Sequence, residues 1–178
     1  AGELAWKIEA GYANHRAIAV VAHSMGGLVT RYYLKNLRTT DQVKTVITVA
    51  TPHHGTFGGM ILPPRSVPTS EMLPGSSFLE ELNSVSETAR GVDFHAIWTR
   101  TDGVVIPAEN SIMCGARNYK VSGLGVTHLG LLMSDAAYAI ILDVLRGQKP
   151  PTTGPQTRDH YEARENPLPW LKLRDERQ

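Results

Sequence analysis

The chain has 178 residues, enough for one domain with a real hydrophobic core, and 42% of them are apolar. Its 18 basic and 17 acidic side chains leave a formal net charge of +1, which excludes the basic footprint of a nucleic-acid binder or of a protein held on an anionic membrane. No apolar run approaches the ~20 residues of a membrane span, and the single Cys114 rules out an internal disulfide and reads as a small buried residue rather than a catalytic thiol.

Residues 3–12 (ELAWKIEAGY) set Leu4, Ala5, Ile8 and Tyr12 on one helical face. Residues 16–22 (RAIAVVA) form a short continuous apolar run, the pattern of a parallel strand buried on both faces. A helix over 25–38 follows, with Leu28, Val29, Tyr32 and Tyr33 at helical spacing. Residues 43–50 (VKTVITVA) are rich in β-branched side chains and read as a second strand, stopped by Thr51-Pro52. Between 55 and 92 the chain turns irregular, with Gly58-Gly59, Pro63-Pro64, Pro68 and Pro74-Gly75. Inside it, Ser77-Phe78-Leu79-Glu80 matches a capping box and predicts a short helix to about Asn83. Met60, Ile61, Leu62, Met72, Leu73 and Phe78 make this excursion either a cap lining an acyl pocket or a long loop pinned to the core. Residues 93–99 (DFHAIWT) and 118–123 (NYKVSG) read as the third and fourth strands. Residues 134–146 form a last helix with Ala137, Ile141, Val144 and Leu145 inward, ended by Gly147 and Pro150. From Gln148 onward, five of the 11 prolines and a dense set of charges predict a solvated tail or a strap over the surface. The expected organisation is a core over 1–147 and a tail over 148–178.

Strands alternating with helices define an α/β fold, a mostly parallel sheet flanked by helices with right-handed crossovers. Ligands of such sheets sit at the carboxyl ends of the strands. The loops to inspect therefore follow Ala22, Ala50, Thr99 and Val121, and each holds a polar candidate. In VVAHSMGGL, residues 20–28, a strand runs into a helix with Ser24 at the corner. A tight corner of this kind pushes the serine outward and wants small neighbours two before and two after it; here these are Ala22, where the usual pattern has Gly, and Gly26. The helix aims its free N–H groups at the corner, and the Met25 backbone N–H is the expected oxyanion donor.

A serine needs a base, and the base needs an orienting carboxylate. TRTDGVVIP places Asp102 just after the third strand and GLGVTHLGLL places His128 just after the fourth. The order Ser24, Asp102, His128 is that of α/β-hydrolases and not of either serine-protease fold. Of the other histidines, His15 falls at the wrong end of the sheet, His23 is expected to point away at the turn, His95 lies inside a strand and His160 in the tail. His53 and His54 lie on the correct side, where they would line the pocket, but come too early for the base. Glu109 is the alternative orienter. No HExxH or similar spacing occurs, so neither a catalytic metal nor a cofactor is expected.

These stretches carry a family resemblance. VVAHSMGGLVTRYYLKNL resembles the nucleophile region of bacterial lipases and esterases of the α/β-hydrolase superfamily, the small secreted Bacillus-type lipases in particular. VITVATPHHGT, residues 46–56, is similar to a segment of many bacterial lipase-like hydrolases and of the lipid acyltransferase and glycolipid-deacylase branches. GARNYKVSGLGVTHLGLL, residues 115–132, resembles the histidine region of the small lipases. The resemblance spans residues 14–146. It implies Ser24 as nucleophile, His128 as base and acid, Asp102 as orienter, ester hydrolysis through an acyl-enzyme, a small ester or lipid as substrate, and secretion. Acyl transfer to an alcohol with the same triad, or a catalytically weak fragment, are the competing expectations.

The same resemblance implies a strand ending in a His-Gly motif before the nucleophile strand, supplying a second oxyanion N–H. No such motif precedes Ser24. The expectation is therefore an N-terminally truncated hydrolase, lacking the strands that carry the oxyanion loop, with the strand over 16–22 left as an apolar edge that invites self-association.

Overall fold

The computed structural model describes residues 1–12, 17–58, 68–154 and 156. His15, His160, the apolar group Met60, Ile61 and Leu62, and the tail beyond Gln156 lie outside the described residues.

Four strands, β1 (Ile18–His23), β2 (Val43–Val49), β3 (Asp93–Trp98) and β4 (Arg117–Lys120), form one parallel sheet in sequential order. The β-branched run of 43–49 suits β2 to an interior position, buried on both faces from Val46 onward, as is β3 from Phe94 onward. The register sets His23 beside Val49 and Val49 beside Ile97, so the carboxyl ends of β1, β2 and β3 are level. The loops that leave them open on one rim of the sheet.

Helix α1 (Gly2–Trp6) and helix α2 (Met25–Tyr32) each continue into a wider turn, Lys7–Gly11 and Tyr33–Leu37, and pack on one face of the sheet. The core there is Ile8, Tyr33, Leu34, Val43, Val46, Phe94, Ala96 and Met113, with Leu4 and Ala5 packed against it. Tyr12, expected on this face, is half exposed, because the wider turn ends at Gly11 and carries the periodicity past the core. The opposite face is covered by α5 (Asp135–Leu145), whose Ala137 and Val144 meet Ile47, Val49, Ile97 and Tyr119. Ile141 packs partly against this core, whereas Leu145, also expected inward, is exposed. Ser134 caps α5 through the Ala137 N–H, and Gly147, at φ 75°, turns the chain out of it.

The excursion contains a one-turn helix α3 (Pro68–Glu71) and α4 (Ser77–Asn83). The cap of α4 is Ser76, not Ser77: its hydroxyl accepts the Leu79 N–H, which shifts the capping position back by one and leaves Glu80 outside any capping box. Leu79 and Leu82 bury against Leu28, with Met72, Phe78 and Tyr32 around them. The start of the tail is a strap. Thr153 bridges to Tyr119, and Gln156 exchanges hydrogen bonds with the Asn118 backbone, so Thr153 and Gln156 line the outer edge of β4.

Strand β1 pairs with β2 alone, at the other edge of the sheet. The expectation that it is buried on both faces fails here. Burial alternates along it, and Ala19 and Val21 (48% exposed) face outward on the α5 side, where no described residue covers the edge. Among the described residues no helix is long and apolar enough to cross a membrane.

Candidate active site

Ser24 occupies the corner between β1 and α2 with φ 54° and ψ −130°, a conformation that costs a non-glycine residue strain. Its N–H joins the sheet through the Val49 carbonyl, and its side chain is thrust away from both elements. Among the described residues the Ser24 hydroxyl has no hydrogen-bond partner. Catalytic hydrogen bonds commonly tighten only with substrate in place. The small flanking residues behave differently from the motif-level expectation. A Cβ on Gly26 would sit 3.8 Å from the Ala22 Cβ, an ordinary contact. The crowded position is Gly27, where a Cβ would lie 2.2 Å from Thr51 Oγ1.

Asp102 and His128 come together at the rim. The His128 Nδ1 lies 2.9 Å from Asp102 Oδ2 and 3.0 Å from Oδ1, with both residues buried. Asp102 Oδ1 also accepts the N–H groups of Val104 (2.9 Å) and Val105 (2.8 Å). A carboxylate only accepts, so Nδ1 carries the imidazole proton and Nε2 keeps its lone pair. This is the tautomer a general base requires. The loop that carries His128 is tied to the end of β3, since the hydroxyls of Thr99 and Thr101 both donate to the Val126 carbonyl.

His23 does not point away from the site, as a sharp turn had suggested. Its Nε2 donates to the His128 backbone carbonyl at 3.1 Å, and the two rings lie 4.7 Å apart. The Ser24 corner therefore touches the histidine loop through the residue directly before Ser24. Glu109 stands apart from His128, buried in a short 3₁₀ turn and 3.8 Å from Arg100 Nε.

His53 and His54 are tied into a polar network with Arg31 and Glu87. His53 is wholly buried, with Nδ1 3.3 Å from Arg31 Nη1 and Nε2 3.1 Å from Thr48 Oγ1. An arginine only donates, so Nδ1 accepts and Nε2 donates. Burial first, then the nearby Arg31 and His54, hold the His53 pKa well below its usual value. His54 Nε2 lies 3.3 Å from Glu87 Oε1. Arg31, 1% exposed on α2, is the hub that sequence reasoning missed. It donates to the carbonyls of Glu87 and Leu82 and to Asn83 Oδ1, and burial lowers its pKa to about 10. Its place in an otherwise amphipathic helix resembles a solvated charge, and only the return of residues 82–87 reveals its partners.

The TPHHGT segment braces the rim. Thr51 Oγ1 donates to the Ser24 carbonyl at 2.9 Å. Thr56 Oγ1 donates to the Val104 carbonyl and accepts the Ile106 N–H, which holds the loop that carries Asp102. Asn110 closes the segment onto that loop by donating to the Gly55 carbonyl.

A parallel sheet with a strained serine corner after one strand and a buried His–Asp pair after two others is the arrangement of an α/β-hydrolase. The chain belongs to the family of class 2 lipases, whose family model matches residues 8–137. Its fold is similar to that of Aspergillus fumigatus lipase B, with a TM-score of 0.69 at 20% identity over 82% of this chain and 40% of that one. The mature Bacillus licheniformis lipase BlEst2 matches with a TM-score of 0.60 at 15% identity, over 80% of this chain and 70% of that one. A Listeria innocua gene product matches at 0.53 and 16% identity, over 82% of this chain and 64% of that one. At these identities the likeness is one of fold. The chain thus spans less than half the length of the Aspergillus enzyme and about two thirds of the two bacterial proteins.

Proposed function

We propose that this chain carries the nucleophile, base and acid of a serine carboxylester hydrolase acting on esters with apolar acyl groups. The observation that carries the reading is the His128–Asp102 pair, locked in the Nδ1–H tautomer beside a strained serine corner. In the first half-reaction Ser24 Oγ attacks the ester carbonyl carbon while His128 Nε2 takes the hydroxyl proton. The Met25 N–H, at the positive end of α2, stabilises the oxyanion that forms. Asp102 stabilises the imidazolium. His128 then gives its proton to the departing alcohol, leaving an acyl group on Ser24. In the second half, water attacks that ester with His128 again as base, and the carboxylic acid leaves.

Exposed apolar side chains flank each of the three residues: Met25 beside Ser24, Val104 and Ile106 beyond Asp102, and Leu129 beside His128. A rim of this kind supports an apolar acyl chain as the bound group. The open edge of β1, with Val21 outward, supports association through that edge, with a second copy as the simplest partner. The test is hydrolysis of a p-nitrophenyl ester by the full-length protein, with Ser24→Ala as control. Serine-dependent turnover is expected, and turnover that is absent or survives Ser24→Ala would sink the proposal.

A further inference from the structure

We infer that Thr51 is the positioning residue of the oxyanion site: its hydroxyl, donated to the Ser24 carbonyl, holds the peptide plane whose other end is the Met25 N–H. The inference rests on the ester hydrolysis proposed above and extends it to a residue outside the triad.

The argument begins with peptide planarity. The Ser24 carbonyl and the Met25 N–H belong to one rigid trans unit and point in opposite directions. A group that fixes the carbonyl therefore aims the N–H. Besides the N–H groups of α2's own first turn, Gly27 at 3.1 Å among them, the carbonyl accepts the Thr51 hydroxyl at 2.9 Å. The Gly27 bond belongs to the first turn of α2 and moves with it. The Thr51 bond comes from the loop that leaves β2 and refers the plane to the sheet.

That reference matters because Ser24 is held in a strained backbone conformation, which persists only where its surroundings over-determine it. Thr51 is itself set by strain. Ala50, the residue before it, has φ 50° and is fully buried at the end of β2, with its N–H held by the Ile97 carbonyl. The turn at Ala50 delivers Thr51 into the space that Gly27 leaves. A Cβ on Gly27 would meet Thr51 Oγ1 at 2.2 Å, Cγ2 at 2.6 Å and Cβ at 2.8 Å. Two loops therefore fit each other at one point: Gly27 makes the recess, and Thr51 fills it with its hydroxyl directed at the Ser24 carbonyl. Thr51 is 1% exposed, so water does not replace that bond.

The experiment compares Thr51→Val, which keeps the shape and removes the hydroxyl, with Thr51→Ser, which keeps the hydroxyl. Turnover of a short p-nitrophenyl ester is measured in the full-length protein, alongside the Ser24 carbonyl ¹³C and Met25 amide ¹⁵N shifts. Removing an oxyanion donor outright costs roughly 10²–10³ in turnover. A donor left in place but freed to tilt is expected to lose about 10- to 100-fold in kcat with KM nearly unchanged. Thr51→Val should show that loss and move both shifts, and Thr51→Ser should restore both. Thr51→Val with wild-type kcat, while Ser24→Ala is dead, overturns the inference and leaves the hydrolase reading standing. Thr51→Ser as impaired as Thr51→Val also overturns it, because packing would then be the cause. If the wild type shows no serine-dependent turnover, the hydrolase reading fails and the role assigned to Thr51 falls with it, while unmoved shifts in Thr51→Val would independently refute the tether.

Discussion

Asp102→Asn separates the tautomer argument from any general effect of the site on folding. Asp102 Oδ1 accepts the Val104 and Val105 N–H groups at 2.9 and 2.8 Å. In the variant these two donors select the amide oxygen for that position, since an NH₂ there would face two N–H groups. The NH₂ group then occupies the place of Oδ2, 2.9 Å from His128 Nδ1. Nδ1 must accept from it, and the imidazole proton moves to Nε2, the atom that should receive the Ser24 proton. Both backbone N–H bonds and one bond to the imidazole are kept, so the melting temperature should stay within about 4 °C, the shift that ~1 kcal/mol produces in a domain of this size. Turnover should fall by ~10⁴, or about 5.4 kcal/mol of transition-state stabilisation, with little change in KM. Steady-state kinetics on a p-nitrophenyl ester and a thermal melt on the same preparation measure both. A kcat within tenfold of wild type in a normally melting protein would refute the assignment of Nε2 as the base.

Two further outcomes follow from the strained corner and the buried network. Ser24→Gly removes the side chain from a backbone at φ 54° and should raise stability by ~1 kcal/mol over Ser24→Ala while abolishing turnover, because only glycine adopts that conformation freely; calorimetric melting of the two variants decides, and an equal or lower melting temperature for Ser24→Gly would show the corner to be unstrained. His53 has its pKa pushed well below the usual value by burial, with Arg31 and His54 adding to the effect. The unfolded chain therefore takes up a proton at about pH 6.5 that the folded protein refuses. Its contribution is fully present above that pH and is lost as pH falls below it, by up to ~1.4 kcal/mol per unit. His95 is lowered in the same sense, by burial above all, so urea unfolding between pH 7.5 and 5.5 should weaken in the wild type and weaken by about one proton less in His53→Gln. Parallel slopes for the two proteins would place the pH sensitivity elsewhere.

What was legible in the sequence is what repeats or what needs a fixed chain order. β2 announces itself through its β-branched run, β3 through the short apolar stretch Phe94–Trp98, and α5 through its inward Ala137 and Val144. The positions of Asp102 and His128 follow from counting strands, because the register brings their loops to one rim. Residues whose partners lie far away in sequence were not legible. Arg31 reaches Leu82, Asn83 and Glu87 across more than fifty positions, and no local pattern marks it as buried. His23 was misplaced for the same reason, since its acceptor is a carbonyl 105 residues away. The misassigned cap of α4 is a subtler case: Ser76 and Ser77 both offer a hydroxyl, and only the backbone conformation chooses between them.

The TPHHGT segment shows how a resemblance and a physical cause differ. Likeness to other hydrolases marks the segment but assigns no work to its side chains. In the fold, Thr51 holds the carbonyl of Ser24, His53 anchors Arg31 beneath α2, and Thr56 holds the loop of Asp102. Thr51 and Thr56 act on two members of one constellation from the loop after a single strand. A serine, an aspartate and a histidine that arrive on separate loops gain their mutual geometry only if something rigid connects those loops. Strand β2 pairs with β1 and is buried from Val46 onward, so its carboxyl end is the natural place for that connection. A change there should therefore alter turnover without touching a reacting atom, and the residues to examine first are the ones that donate to backbone carbonyls on either side of it.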